Sequence, residues 1–284
     1  MVVGMTVTPE TANVPTESGN DVLDIVIIGA GISGIGAAYH LGQQTPGARY
    51  VVLERRERIG GTWDLFSYPG VRSDSSIFTL SWPWEPWRGK EYVADGDQIR
   101  DYMEDTARKH GIYPHIHFGT EVQSAAWDSA TDTWTTHVTE DGRPKIYRSR
   151  FVFFGSGYYN YDKPYSPDFP GSADFAGTLV HPQFWPNDLD YTGKKIVVIG
   201  SGATAVSMVP ALARKAAKVT MLQRSPGYLF SMPRVNPVYA ALRTVLPKQA
   251  SYSIIRSAAL VFEKVLEVIA RRFPNAVRGF VRRQ

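Results

Sequence analysis

Two glycine clusters, 171 residues apart, carry the most legible chemistry in this chain. The first runs Gly29-Ala30-Gly31-Ile32-Ser33-Gly34, after the apolar run 22–28 (VLDIVII) and before a helical pattern at 35–44. Glycine at the first position permits a tight strand-to-helix turn. At the second it lets backbone approach a pyrophosphate, and at the third it lets helix and strand pack closely. The helix N-terminus adds free N–H groups and the positive end of its dipole, which favour an anion. Glu54 ends the next strand, 50–53 (YVVL), 20 residues after Gly34. Its carboxylate suits a ribose diol and repels a 2′-phosphate. A lone G-x-G-x-x-G recurs for structural reasons; strand, helix and acid in register make it a dinucleotide site.

The second cluster, Gly200-Ser201-Gly202-Ala203-Thr204-Ala205, is a G-x-G-x-x-A variant between a strand at 195–199 and a helix at 206–215. The strand at 219–223 is followed by Arg224 and Ser225, with no acid at the ribose position. An arginine there suits the extra phosphate of NADP; the alternative is a surface arginine on a fold that binds NAD or nothing. Sites of opposite ribose chemistry on one chain imply two cofactors. Glu54 fits the adenosine ribose of FAD and Arg224 fits NADPH, a pairing that moves hydride from nicotinamide to flavin.

Positioning these turns requires alternating strands and helices, hence an α/β class with parallel pairing. Residues 60–96 are rich in Gly, Pro, Ser and Trp and read as a long ordered loop, followed by an amphipathic helix at 98–110. Alternation from 115 to 147 reads as an antiparallel meander, and 151–154 (FVFF) as a further buried strand. Residues 160–193 are punctuated by Pro and Gly, and 238–284 read as helices broken at Pro247 and Pro274.

Composition narrows the function. The 284 residues are 43% hydrophobic and 20% charged, an ordinary globular balance. With Cys 0 there is no disulfide framework, thiolate zinc site, iron–sulfur cluster or cysteine nucleophile, and no metal site is expected. The same absence removes the dithiol of a two-nucleotide disulfide reductase. Residues 1–21 read as a disordered polar tail without signal-peptide order, and the cytoplasm is the default compartment. The net charge of +4 divides unevenly: residues 238–284 hold nine Lys or Arg and two Glu, or +7, leaving −3 for residues 1–237. A basic groove through the fold is therefore absent, and no nucleic-acid partner is expected. The stretch 254–269 is amphipathic enough to lie on an anionic membrane surface; the alternative is that these helices pack on further chain.

A third motif, Phe175-Ala176-Gly177-Thr178-Leu179-Val180-His181-Pro182-Gln183-Phe184-Trp185-Pro186, has the form F-x-G-x-x-x-H-x-x-x-W-P between the two fingerprints. It resembles the signature of Baeyer–Villiger-type flavin monooxygenases. The flanks sharpen the likeness: Gly60-Gly61-Thr62-Trp63-Asp64, Tyr68-Pro69-Gly70-Val71-Arg72-Ser73-Asp74, Gly155-Ser156-Gly157-Tyr158-Tyr159-Asn160-Tyr161-Asp162, and Gln223-Arg224-Ser225-Pro226. The set is similar to the branch that includes an ethionamide-activating enzyme, and it covers residues 22–235.

The resemblance implies two Rossmann-like domains of three-layer β/β/α type, the NADP domain inserted in the FAD domain. It divides the chain into the tail 1–21, an FAD-binding part at 22–162, a linker at 163–193, an NADP-binding part at 194–237 and a basic helical segment at 238–284. It places Gly60, Gly61, Thr62 and Trp63 along the FAD pyrophosphate and flavin. It makes Asp74 the active-site aspartate that pairs with a catalytic arginine, and gives His181 a conformational role coupled to NADPH. It implies oxygenation by O2, through a flavin peroxide, of a small lipophilic ketone or a sulfur-containing substrate. The family's return strand and helix, and its catalytic arginine, have no counterpart before Gln284, so the chain reads as the front half of such an enzyme. The rival reading is a non-catalytic remnant that binds a nucleotide or partner without turnover.

Overall fold

The computed structural model describes residues 22–225 and 234–281; the tail expected at 1–21 lies outside them. The described residues form two compact units, 22–61 with 107–157, and 62–106 with 158–225 and 234–281.

In the first unit, short aliphatic runs become β1 (Leu23–Ile28) and β2 (Tyr50–Leu53), joined through helix α1 (Ile32–Gln44). A two-residue β3 (Ile116–His117) precedes the meander β4 (Thr120–Asp128), β5 (Thr133–Glu140) and β6 (Arg143–Phe154). All six strands share one sheet in the order β3-β2-β1-β6-β5-β4. The first three pairings are parallel and the last two antiparallel. Ile27 lies beside Gly34 of α1 on one face. On the other, Val26, Ile28, Val51 and Leu53 pack against Val138, with Val122 and Tyr147 beside them, so the meander supplies its own β layer. Several boundaries differ from the sequence reading, two of them with a clear cause. α1 starts three residues early because Gly34 is helical. The strand 151–154 is the end of a single 12-residue β6, whose Arg148-Ser149-Arg150 alternates exposed, buried, exposed.

The second unit contains two single-turn helices inside the expected loop, α2 (Thr62–Leu65) and α3 (Ile77–Leu80), followed by α4 (Gly96–Lys109). A two-stranded parallel sheet, β7 (Lys195–Ile199) and β8 (Lys218–Leu222), flanks α5 (Ala203–Leu212). Val198, Ala205, Met208 and Leu212 pack with Tyr68, while Trp185 and Tyr191 close the edge of this cluster. The basic segment forms α6 (Pro237–Val245), α7 (Lys248–Arg272) and α8 (Pro274–Val281), breaking at Pro247 and Pro274 as read.

Candidate functional site

Each unit builds one strand–glycine–helix turn. In the first, β1 gives way to Gly29, whose φ of +96° excludes most side chains. A Cβ on Gly29 would lie 2.7 Å from the Gly155 carbonyl oxygen, and one on Gly34 would run into the carbonyl oxygen of Gly29. Packing alone therefore demands these two glycines. Gly31 differs: a Cβ there would meet only the Cα of Gly61, at 3.8 Å. Gly31 is the N-cap of α1, which has neither a side-chain cap nor an acid in its first turn. The first N–H groups of a helix lack intrahelical acceptors, so this end suits an anion. The Gly60 N–H donates to the Ala30 carbonyl at 3.2 Å, setting the Gly60-Gly61 pair against the turn.

Glu54 sits at the end of β2, 4% exposed. Its Oε2 accepts from the Ala30 N–H at 2.7 Å and its Oε1 from the Arg56 N–H at 2.8 Å. The carboxylate is thus anchored on the glycine turn itself. The sequence reading of Glu54 missed this clamp. It also left Gly155 outside the site, although the strand-ending Gly155-Ser156-Gly157 was its signal.

The second turn is more open. Gly200 has φ +128° and is explained by its backbone. Gly202, the N-cap of α5, has an ordinary φ of −77°, and a Cβ there would have no neighbour within 4 Å. Neither strain nor packing requires glycine there, and α5 also lacks a side-chain cap. Thr204 follows in its first turn and Ala205 is buried in the apolar cluster, explaining the small third residue. Arg224 and Ser225 follow β8 and are both exposed.

The remaining candidates lie in the second unit. Thr62 and Trp63 open α2. Trp63 lines a cleft of about 610 Å³ with Arg72, Asp95, Arg100 and Arg214. Asp74 is exposed and has no hydrogen bond among the described residues; the adjacent turn is capped by Ser76, which accepts from the Phe78 N–H at 3.3 Å. Asp74 still acts at a distance: the Tyr159 phenol is pushed up to about 12, first by burial, then by Tyr158 and the charges of Tyr68 and Asp74. His181 caps a single 3-10 turn, its Nδ1 accepting from the Gln183 N–H at 3.2 Å. That bond requires a proton-free Nδ1. Gln183 is buried and donates to the Asn160 carbonyl at 2.6 Å, pinning the segment that begins at Tyr158. Among the described residues no group of three His, Asp or Glu could hold a metal ion.

A family profile described as pyridine nucleotide-disulphide oxidoreductase matches residues 26–242. The chain is 51% identical over 256 residues to a FAD-containing monooxygenase EthA of Mycolicibacterium smegmatis, covering 90% of this chain and 52% of that protein. Identity to the Mycobacterium tuberculosis protein of the same name is 48% over 257 residues, covering 90% and 53%. The chain therefore spans about half the length of the curated relatives it matches. Among solved structures, a cyclohexanone-bound cyclohexanone monooxygenase superposes with TM-score 0.68 at 28% identity, over 84% of this chain and 45% of the other. An oxidised steroid monooxygenase bound to NADP gives TM-score 0.66 at 29% identity, over 82% and 43%.

Proposed function

The chain belongs to the pyridine nucleotide-disulphide oxidoreductase family, and from that membership we propose that it carries the two nucleotide sites of a flavin-dependent monooxygenase, FAD on the first turn and NADPH on the second. The observation that carries the reading is the pair of N-cap glycines, Gly31 and Gly202, whose missing side chains neither packing nor backbone geometry explains. A phosphate group against each helix end accounts for both. With Cys 0, the chain brings no dithiol of its own to the family's disulphide chemistry.

The residues divide the work as follows. N–H groups at the start of α1 and α5 hold pyrophosphates, and Gly60 and Gly61 keep side chains away from the first. Glu54 accepts from the adenosine ribose while staying clamped on Ala30. Arg224 pairs with the 2′-phosphate, and Ser225 offers a hydroxyl donor beside it. Asp74 is the carboxylate of the reaction site that pairs with a catalytic arginine, and its exposure leaves it open to that partner. His181 acts conformationally, through the turn that it caps. When bound, FAD supplies the redox chemistry that takes electrons from NADPH and passes one oxygen atom of O2 to a small lipophilic ketone or to a sulfur atom.

The test is a pair of alanine substitutions read by binding. Gly31→Ala should weaken FAD binding at least about tenfold, as displacing a phosphate from two or three N–H groups implies, while the unfolding midpoint drops only by the modest cost of alanine at an N-cap, about 1 kcal/mol. Gly202→Ala should do the same to NADPH and leave FAD alone. If both variants bind both nucleotides as the unaltered chain does, the assignment fails. In a chain extended to the length of its relatives, ester formation from cyclohexanone and sulfoxide formation from a thioether, both NADPH-dependent, then distinguish the substrate classes.

A further inference from the structure

Helix α7 uses only part of its apolar surface inside the protein. Ser251, Tyr252, Ile255 and Ala259 are buried, and the helix packs on α3 and α6. A neighbouring stripe, Ile254, Val261, Val265 and Val268, follows the 3-and-4 spacing of one helix face and is 49%, 62%, 47% and 54% exposed. Phe262, Leu266 and Ile269 widen the stripe and are exposed as well. The next position on the same line is Arg272, and Arg271 stands beside it. From Lys264 to Gln284 the sequence carries six basic residues and one acid. That acid, Glu267, is held within the helix by Lys264 at 2.9 Å and Arg271 at 2.7 Å. Residues 1–237, by contrast, are net negative.

We propose that the exposed face of α7 docks the protein peripherally on an anionic lipid surface, its valine stripe entering the headgroup boundary and its C-terminal arginines meeting lipid phosphates. This goes beyond the nucleotide reading and does not depend on it. The occupant follows from charge complementarity. A helix seam between proteins needs matched charges along its edges, whereas this face runs out into arginines with no acid among 268–284. Long basic side chains at the rim of an apolar face reach up to phosphate oxygens while their stems stay apolar. No described helix is long and apolar enough to cross a membrane, so the contact lies in the plane of the surface.

Co-sedimentation of the full chain with vesicles tests the proposal. Binding is expected to vesicles of phosphatidylcholine with phosphatidylglycerol, to fall as salt rises, and to be at least tenfold weaker to phosphatidylcholine alone. Val261→Asp with Val265→Asp should abolish it. Arg271→Glu with Arg272→Glu should lower binding to the anionic vesicles by about 30-fold or more, from about 1 kcal/mol per basic residue. Leu179→Asp, at another exposed apolar position, should change nothing. Equal binding to both vesicle types, binding to neither, or equal loss with Leu179→Asp would overturn the proposal. So would a dimer, seen by sedimentation, that the two valine substitutions dissolve while vesicles bind none of the variants.

Discussion

Glu54 commits two of its lone pairs to the Ala30 and Arg56 N–H groups before any ligand arrives. Its removal would disturb the glycine turn as well as a ribose contact, so Glu54→Gln cannot separate fold from binding. Arg224 can, because it is exposed at the end of a strand. Arg224→Ala should cut the ratio of NADPH to NADH affinity by about 10- to 150-fold, the value of a lost charge-assisted bond. An unchanged ratio in a nucleotide titration would show that another group reads the phosphate. The glycines give a second contrast. Gly34→Ala drives a Cβ into the Gly29 carbonyl, so its unfolding midpoint should fall markedly, whereas Gly31→Ala should lose ligand and lower its midpoint only by the small cost of an N-cap alanine.

Titration offers a third residue-level outcome, away from the nucleotide turns. Burial works to raise the Glu140 carboxyl, but hydrogen bonds from Lys145, His117 and Tyr147 outweigh it and hold Glu140 at about 2. The Lys145 Nζ lies at 2.7 Å and the His117 Nδ1 at 2.9 Å. A folded value below the ordinary 4.5 means stability that is fully present above that pH and lost as pH falls toward about 2. The loss is at most about 3 kcal/mol, at about 1.4 per pH unit. Urea unfolding at neutral pH and at about pH 3 should show it in the native chain, and Glu140→Gln should flatten the difference. An equally steep acid limb in the variant would put the charge sensitivity elsewhere.

At the scale of elements, both strand–turn–helix modules were legible because their apolar runs, glycines and following strands recur in register. What the sequence hid was the reason that residues 60–96 are ordered. Aromatic residues there lack periodicity, yet they form a core with Phe78, Trp82 and Trp87 at its centre. Phenols from distant helices complete it. The Tyr252 hydroxyl donates to the Trp82 carbonyl at 2.9 Å, the Tyr239 hydroxyl to the Trp87 carbonyl at 3.0 Å, and the Tyr102 hydroxyl to the Glu85 carbonyl at 2.7 Å. Such pairings join residues more than 150 positions apart for Tyr239 and Tyr252, and no local pattern announces them. They also place α6 and α7 against this loop, a partner that the basic composition of 238–284 did not suggest. The Trp82 carbonyl keeps a second, longer bond from the Glu85 N–H at 3.3 Å, so Tyr252→Phe should cost about 0.5–1.5 kcal/mol in urea unfolding, the net value of one hydrogen bond. A cost near zero would mean that the Glu85 donor suffices.

On the scale of the whole molecule, both units leave part of a sheet face open. Phe151 and Phe153, on one side of β6, are 66% and 38% exposed, and Val197 and Ile199, on one side of β7, are 62% and 57% exposed. Parallel strands of this kind are ordinarily covered on both faces. On the reading proposed above, the glycine turns carry the adenosine and pyrophosphate contacts, while the sheet surfaces beside them stay open. Loss of two or three buried contacts, at about 1 kcal/mol each, weakens a ligand roughly 30- to 150-fold. Prepared as these 284 residues, the chain should leave gel filtration colourless, bind a dye that reports exposed apolar surface, and still quench added FAD in a saturable titration. With NADPH and cyclohexanone it should form no lactone, because water reaches an unclosed site and uncouples NADPH use from oxygenation. A yellow eluate with flavin near one per chain, together with lactone, would show that the open faces leave the site intact.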